Sequence, residues 1–144
     1  MAEPFATEPY RRSPFGGSSY ATGQDMDREF NAIEATDIVI ESGHDRTQIR
    51  NDGWPRGSAS PKWPDIRVYF DSNKGPLKYE CAAFSDYGAN LRAIVLWMQR
   101  TRLAIDEWGI GRGGEAYRGF AALPSALGEG TGGFRTAEDA AAFL

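Results

Sequence analysis

The sequence has little of what several common classes of protein require. It contains one cysteine, Cys81, and one histidine, His44, too few for an internal disulfide framework or for a zinc site built from four Cys or His ligands. No apolar run reaches the roughly 18 residues of a membrane helix, and the amino-terminal arginines precede no apolar stretch typical of a secretory signal. The sequence therefore predicts no metal, no cofactor, no membrane contact and a reducing, cytoplasmic setting.

An excess of basic residues is also missing. Sixteen Lys and Arg stand against 20 Asp and Glu, which gives a formal net charge of -4 and a pI near 5.0. No overall positive field therefore draws the chain to nucleic acid. Hydrophobic residues at 41% and aromatic residues at 12% of 144 residues are instead typical of one globular domain of ordinary size.

Composition divides the chain into three regions. Residues 1–21 are rich in Pro, Gly and Ser and are predicted to form a flexible tail, which Phe5, Tyr10 and Phe15 can attach to its own domain or to a partner. Residues 22–124 carry the periodic patterns of one domain. Residues 125–144 are predicted to be a flexible segment followed by a short helix with a capping pattern.

Two longer helices are predicted from apolar residues at helical spacing. Thr22 is a candidate N-cap for a helix over 23–35, and either Ser85 or Asp86 can cap a second helix over 86–108. Short helices are expected towards the carboxyl terminus. Buried apolar side chains of the second helix are expected to stabilise the fold more than any surface ion pair. Two of them are Ile94 and Trp97.

Three strands are predicted from β-branched and alternating residues, over 36–42, 66–71 and 77–83. The last two form a β-hairpin around a four-residue loop. Pairing Phe70 with Leu77 puts apolar residues on one face and charged residues on the other, and a slip of one residue destroys both matches. The predicted fold class is α+β, with a small three-stranded antiparallel sheet packed on the two longer helices.

Residues 43–64 are predicted to form a long loop. Their number exceeds the roughly 12 to 15 residues usual for a structureless connection inside a compact domain, which indicates a mobile or a functional segment. Trp and Arg are the residues most enriched at interface hot spots. Five residues of the loop are the candidate binding residues: Trp54, Trp63, Arg50, Arg56 and Lys62. The alternative is that both tryptophans fold back to cover the open edge of the sheet.

Among the residues of this sequence, a pair of carboxylates on the hairpin most resembles a group of catalytic residues. Asp65 before one strand and Glu80 on the next have the order found in restriction-endonuclease-like nucleases, in which two carboxylates hold Mg²⁺ and a Lys beside them helps to activate water. Ala82 occupies the place of that Lys. The plainer interpretation is a solvated face on which Arg67 pairs with Glu80. The sequence therefore predicts no catalytic residues.

Residues 38–124 resemble a group of uncharacterised prophage and plasmid proteins, some of which contain a J-domain. The resemblance is carried by Val68-Tyr-Phe70, Tyr79-Glu-Cys81, Asn90-Leu-Arg-Ala-Ile94 and Gly119-Phe-Ala-Ala-Leu-Pro124. It implies a mobile-element origin and a shared fold. Chaperone stimulation by a J-domain needs a His-Pro-Asp tripeptide, and the only histidine here, His44, stands in Gly43-His-Asp45.

The function predicted from these observations is that of a small non-enzymatic protein-interaction factor of a phage or mobile element, regulatory or anti-host, which binds a protein partner. The alternative is a nucleic-acid-binding module, because the order helix, strand, strand, strand, helix matches double-stranded-RNA-binding domains. Acidic residues interleave with the basic ones throughout the long loop and the hairpin. A metal-dependent nuclease is the weaker form of that alternative.

Overall fold

The fold is seen in a computed structural model. The described part of the chain comprises residues 4–12, 14–15, 19–51, 53–56 and 59–122. The flexible segment and short helix predicted for residues 125–144 lie outside it. Within it, the elements follow the order helix, strand, strand, strand, helix, with a further one-turn helix at the end.

Three strands form one antiparallel sheet: β1 (Thr36–Ser42), β2 (Ile66–Ser72) and β3 (Gly75–Cys81), in the order β1-β2-β3. This confirms the predicted α+β class. The predicted register is also confirmed, since Phe70 pairs with Leu77. Both side chains are at most 1% exposed, so the apolar face of the hairpin points into the core as the alternation requires.

The turn of the hairpin is tighter than predicted. Ser72, the last residue of β2, pairs with Gly75, the first residue of β3, so Asn73 and Lys74 alone close the connection. Gly75 has a φ of 94°, a left-handed conformation that glycine adopts without a steric penalty. The Ser72 hydroxyl donates a 2.9 Å hydrogen bond to the Gly75 carbonyl and fixes the turn.

The first helix, α1, spans Ser19–Ala32 and is displaced towards the amino terminus relative to the predicted 23–35. Thr22 therefore lies inside the helix, and its prediction as the N-cap is wrong. The helix ends early because Glu34 adopts a φ of 55° and the amide of Ala35 bonds back to the last turn at 2.8 Å. Helices commonly end at a residue in the left-handed conformation, with a backbone bond back to the last turn. Glycine is more frequent than glutamate at such a position.

The second long helix, α2, spans Tyr87–Asp106, and α3 is a single turn over Glu115–Arg118. Of the two predicted caps, Asp86 is the one used. Its carboxylate accepts a 3.0 Å hydrogen bond from the amide of Ala89, which satisfies one of the free donors at the helix start.

Two charged pairs join α1 to α2. The guanidinium of Arg102 donates two 2.9 Å hydrogen bonds to the carboxylate of Glu29, whose side chain is 3% exposed. Arg92 donates at 2.9 Å to Asp25. A buried carboxylate is tolerated only with a partner of this geometry, so these pairs fix how the helices lie side by side.

The core lies between the sheet and the two helices. It includes Met26, Phe30, Val68, Phe70, Leu91 and Ile94. Trp97 is not part of it: this residue is 44% exposed, because it lies outside the α2 stripe that faces the sheet. Its ring instead contacts Phe120, with centroids 5.5 Å apart. The expected burial of Trp97 is therefore wrong.

The amino-terminal segment, predicted to be a tail, lies against its own domain in the described part. The carboxylate of Asp65 accepts hydrogen bonds from the amides of Phe5 and Ala6 at 2.7 and 3.1 Å and from the Tyr10 hydroxyl at 2.6 Å. The guanidinium of Arg67 lies 4.3 Å from the centroid of the Phe5 ring. The alternation pattern of the hairpin contains no signal for these contacts, because even the hydrogen-bonded partners are 55 to 60 residues apart.

Residues from both ends of the described chain also meet β3 and the segment after it. The amide of Arg11 bonds to the carbonyl of Ala83 at 2.7 Å, and the amide of Ser85 bonds back to Arg11 at 3.0 Å. Further along the edge, the amide of Lys78 bonds to the carbonyl of Phe120 at 2.9 Å. These bonds satisfy backbone groups along the outer edge of β3 and the segment after it. Without them, this edge would offer free backbone groups to another chain.

Candidate functional site

The long loop at 43–64 has internal structure in its described residues. It contains one turn of 3₁₀-helix over Arg46–Gln48, and the amide of Arg56 bonds back to the last residue of that turn at 2.8 Å. The amide of Lys62 bonds to the carbonyl of Gly43 at 2.9 Å, which brings the two ends of the loop together. The loop is therefore a compact surface feature of the kind that often carries function.

The loop closes tightly because Gly43 has no side chain. A Cβ atom at this position would lie 2.6 Å from the backbone oxygen and 2.7 Å from the backbone nitrogen of Trp63. Real Cβ atoms essentially never approach backbone atoms so closely. Glycine at position 43 thus places Trp63 against the end of β1.

Trp54 packs against the domain. It is 5% exposed, and its ring lies 3.4 Å from the position that a Cβ atom on Gly23 of α1 would occupy. Its indole nitrogen donates to both carboxylate oxygens of Asp27, at 3.0 and 3.1 Å. The carbonyl of Trp54 also accepts the amide of Arg50 at 2.8 Å. Trp54 therefore packs on α1, whereas the alternative that the sequence left open placed both tryptophans over the open edge of the sheet.

The loop cavity is a space of about 540 Å³ between the long loop and the start of α2. Three of the five candidate binding residues line it: Arg56, Lys62 and Trp63. The residues that face them include His44, Asp86 and Tyr87. Its volume lies within the roughly 300 to 1,000 Å³ of ligand pockets in proteins. The other two candidate binding residues, Arg50 and Trp54, do not line the loop cavity. The structure therefore brings three of the five candidates together.

Most of the charge at the loop cavity comes from two exposed cations. Arg56 forms no ion pair with the described residues, and Lys62 lies 3.8 Å from a carboxylate oxygen of Asp45, with both side chains at least half exposed. Such an exposed pair is worth about 0 to 1 kcal/mol and leaves the ammonium free to move. The carboxylate of Asp86 is the one negative group that lines the loop cavity within the described residues.

His44 and Tyr87 form the inner wall. The Nδ1 atom of His44 lies 2.9 Å from the Ser42 hydroxyl, and the two rings meet edge to face with centroids 4.6 Å apart. Burial lowers the pKa of His44 below its ordinary value, so the ring is neutral at pH 7. Burial raises the pKa of Tyr87, which keeps its hydroxyl protonated and able to donate.

Sequence reasoning did not find His44, Asp86 and Tyr87 as site residues. Asp86 carries a local signal, its position before the apolar repeat of α2, but that signal indicates a helix cap. Their joint position at the loop cavity follows from the packing of the loop on the helix, for which a single sequence contains no local signal.

The predicted nuclease pair has other partners in the structure. Asp65 is 1% exposed and accepts the three hydrogen bonds from the amino-terminal segment. Glu80 accepts a 2.7 Å hydrogen bond from Arg67, as the plainer interpretation expects. Within the described residues, no group of three or more His, Cys, Asp or Glu side chains is placed to hold a metal ion.

Comparison with known proteins does not assign the site. The chain matches no family model, no curated protein and no solved structure, so the resemblance to prophage and plasmid proteins stays a prediction. None of the helices in the described part is both long and apolar enough to cross a membrane.

Proposed function

We propose that the protein is a small non-enzymatic protein-interaction factor that receives a segment of a partner protein in the loop cavity. The observation that carries the proposal is that Arg56, Lys62 and Trp63 line one cavity of about 540 Å³. Trp and Arg are enriched at interface hot spots, and Trp63 and Arg56 both line this cavity. The compact loop also supports the proposal, because binding residues are often held on loops that a rigid scaffold positions.

An origin in a phage or other mobile element, with a regulatory or anti-host role in the cytoplasm, is part of the same proposal. It rests on the resemblance of residues 38–124 to prophage and plasmid proteins. The single Cys81 fits a reducing compartment: its thiol donates to the side-chain oxygen of Asn90 at 3.3 Å, and burial raises the pKa of that thiol.

Site-directed photo-cross-linking tests the proposal. Ser60 lines the loop cavity and is exposed, so it is replaced by p-benzoylphenylalanine and the full chain is irradiated in extract of the source cells. The matched control carries the same group at Glu107, an exposed residue just after α2. We expect one protein to be cross-linked from position 60, absent from position 107 and lost when Arg56→Ala and Lys62→Ala are added.

Two outcomes would contradict the proposal. One is the same set of proteins from positions 60 and 107, which would mean that contact is not specific to the loop cavity. The other is no cross-linked protein from position 60 in extracts prepared across growth and stress conditions.

A second candidate function is nucleic-acid binding, favoured by the two exposed cations on one loop. Phosphate contacts release counterions, so binding must weaken steeply as salt rises. A gel-shift series with single- and double-stranded DNA and RNA at 50 and 200 mM salt separates the two candidates. Salt-insensitive or absent binding removes the second candidate, and cleavage with Mg²⁺ that persists in Asp65→Ala would remove its nuclease form alone.

A further inference from the structure

The two edges of the sheet differ in how their backbone groups are used. Along β3, the amide of Lys78 bonds to the carbonyl of Phe120, and the carbonyl of Pro76 accepts the amide of Ala122 at 2.9 Å. Along β1, no backbone hydrogen bond other than those to β2 is found within the described residues. The chain therefore closes one edge of its sheet and leaves the other open.

The pairing of the strands identifies the free groups of β1. Because the amide of Lys78 points outward to Phe120, Lys78 and its partner Tyr69 form a non-hydrogen-bonded pair, and the backbone groups of Tyr69 point to β1. Val39 pairs with Tyr69, so the groups of Val39 point inward. Those of the next residue, Ile40, point outward. The amide and carbonyl of Ile40 are thus available to a further strand.

A groove of about 260 Å³ lies beside this open edge. Its lining comes from α1, β1 and the long loop: Asp27, Phe30, Ile38, Ile40, Gly53 and Trp54. The side chains of Ile38 and Val39 are 40% and 44% exposed. Exposed β-branched side chains along an unpaired strand are typical of an edge that another chain can join.

The charged side chains on β1 and in the lining of the groove are acidic in the described part of the chain. Asp27 lies in the groove. Asp37 and Glu41 lie on β1 and share the other face of the sheet with Val39. Asp71 of β2 lies beside Asp37, and burial together with the negative charge of Asp37 raises the pKa of Asp71. Four carboxylates therefore surround the open edge.

The cations on neighbouring elements do not balance these carboxylates. Arg67 donates to Glu80 at 2.7 Å, and Arg28 donates to Asp25 at 3.1 Å. Each of these arginines thus has a further carboxylate as its partner and adds no net positive charge. Arg50 belongs to the long loop but does not line the groove. With Arg50 counted, the open edge still has an excess of negative charge.

This charge makes a second copy of the chain a poor occupant. Full antiparallel pairing of two β1 strands about Val39 would put Asp37 of one copy opposite Glu41 of the other. Like charges directly opposite each other destabilise a strand pair. The irregular register between Thr36 and Val39 also bends the edge away from regular pairing with itself. The edge therefore suits a segment of opposite charge.

We propose that the open edge of β1 binds an extended basic segment of a partner protein as a fourth strand. Backbone hydrogen bonds would give this pairing its affinity, and contacts of alternate side chains would give it specificity. Ile38 and Ile40 lie on the groove face, so apolar side chains of the segment face them. Lys or Arg side chains on the other face meet Asp37 and Glu41. No residue of the groove lines the loop cavity, so this surface is separate from the site of the proposed function.

An NMR titration of the ¹⁵N-labelled full chain tests the proposal with the peptide acetyl-Ser-Lys-Val-Thr-Val-Lys-Ser-amide. Its two Val side chains share one face and its two Lys side chains the other. We expect saturable shifts of the Ile40 amide and of the Trp54 indole. Hydrogen exchange of the Ile40 amide should slow at saturation, because this amide gains an acceptor. The matched control has Glu in place of both Lys and is expected to bind at least tenfold more weakly.

Two N-methylated peptides test for backbone pairing. Alternate amides of an extended segment point to the same side, so one peptide carries methyl groups on both Val amides and the other on both Lys amides. A methyl group blocks pairing only where its amide faces β1. We expect one of the two peptides to lose at least tenfold in affinity and the other to bind within threefold of the parent peptide.

A double variant tests the acidic contacts. Asp37→Asn with Glu41→Gln removes both charges and is expected to weaken the basic peptide about fivefold. Asn suits position 37, where the φ of 53° is left-handed. Asp106→Asn with Glu107→Gln is the matched control, because both residues are exposed at the end of α2 and lie outside β1 and the groove. The control is expected to bind as the wild type does, and thermal melts verify that both variants fold.

Equal binding of the Glu peptide, equal affinities of the two methylated peptides, or an unchanged affinity in the Asp37 and Glu41 variant would each overturn the inference. Slow exchange of the Ile40 amide in the free monomer would also overturn it, because another segment of this chain would then occupy the edge. So would a dimer in sedimentation equilibrium whose dissociation frees the Ile40 amide, because the occupant would then be a second copy.

Discussion

The hydroxyl of Tyr10 donates a 2.6 Å hydrogen bond to the carboxylate of Asp65, 55 residues further along the chain. This bond raises the pKa of Tyr10 to about 12, with burial and the negative charge of Asp65 as smaller causes. Asp65 itself is 1% exposed. Its burial is possible because the amides of Phe5 and Ala6 supply two further donors.

Asp65→Ala is expected to release the amino-terminal segment. The change removes the acceptor of three hydrogen bonds, and a bond to a charged group contributes about 1.5 to 3 kcal/mol. We expect a loss of about 1 to 3 kcal/mol in the free energy of unfolding, and faster hydrogen exchange at the amides of Phe5 and Ala6. Urea unfolding and exchange measured by NMR test both. Glu8→Ala, an exposed change in the same segment, is the control, and equal exchange in the two variants would contradict the prediction.

Ile94→Ala is expected to cost about 2 to 5 kcal/mol, because Ile94 is 4% exposed and lies in the core. Glu80→Ala breaks the ion pair with Arg67, in which both side chains are at least one quarter exposed, and is expected to cost about 0 to 1 kcal/mol. Trp97→Ala should fall between them, since Trp97 is 44% exposed. Thermal melts of the three variants rank them. A loss in Glu80→Ala equal to that in Ile94→Ala would mean that the polar face of the hairpin is buried.

His44 should make the protein less stable as the pH falls below about 6.5. Its pKa is lowered in the folded protein by burial, so the unfolded chain, with an ordinary pKa of about 6.5, binds the proton more readily. The stability that neutral His44 supports is full above pH 6.5 and is lost as the pH falls through the folded pKa.

Urea unfolding of the wild type and of His44→Gln at pH 7.5 and 5.0 measures this effect. Carboxylates titrate in both proteins, so the difference between the two proteins isolates His44. We expect the wild type to lose more free energy of unfolding than the variant over this interval. Parallel losses would show that His44 takes up its proton equally well in the folded protein.

Gly43→Ala is expected to displace Trp63 and deform the loop cavity. A Cβ atom at position 43 would meet the backbone of Trp63 at 2.6 Å, and overpacking of this kind typically costs about 1 to 3 kcal/mol. Gly119→Ala is the matched control, because a Cβ there has nothing within 4 Å. Thermal melts and the chemical shift of the Trp63 indole measure the two effects. An unshifted indole in Gly43→Ala would refute the prediction.

Local patterns determine which parts of the fold can be predicted. The pairing of Phe70 with Leu77 follows from an alternation of period two over a short connection, because only one register suits both faces. The start of α1 could not be found in this way, since Thr22 has the preferences of a cap and tertiary contacts decide whether a helix extends beyond it. Trp97 was misplaced because hydrophobicity alone does not distinguish the core stripe of a helix from its flank.

The candidate site was only partly predictable for the same reason. Composition selected Arg56, Lys62 and Trp63, and loop length indicated that they belong to one surface feature. Nothing in the sequence near Trp54 indicates that Asp27 accepts its indole hydrogen, and nothing near position 44 indicates that Tyr87 lies against it. These contacts depend on how the loop packs on two helices, which is a property of the complete fold.

The attachment of the amino-terminal segment has a consequence for the order in which the chain folds. Phe5, Ala6 and Tyr10 leave the ribosome before Asp65, and Arg11 leaves it before its partners Ala83 and Ser85. At about 5 to 20 residues per second, the segment waits several seconds for the hairpin and the start of α2 to be synthesised. Its docking is therefore a late step that depends on the formed domain, and until then its aromatic side chains are available to chaperones.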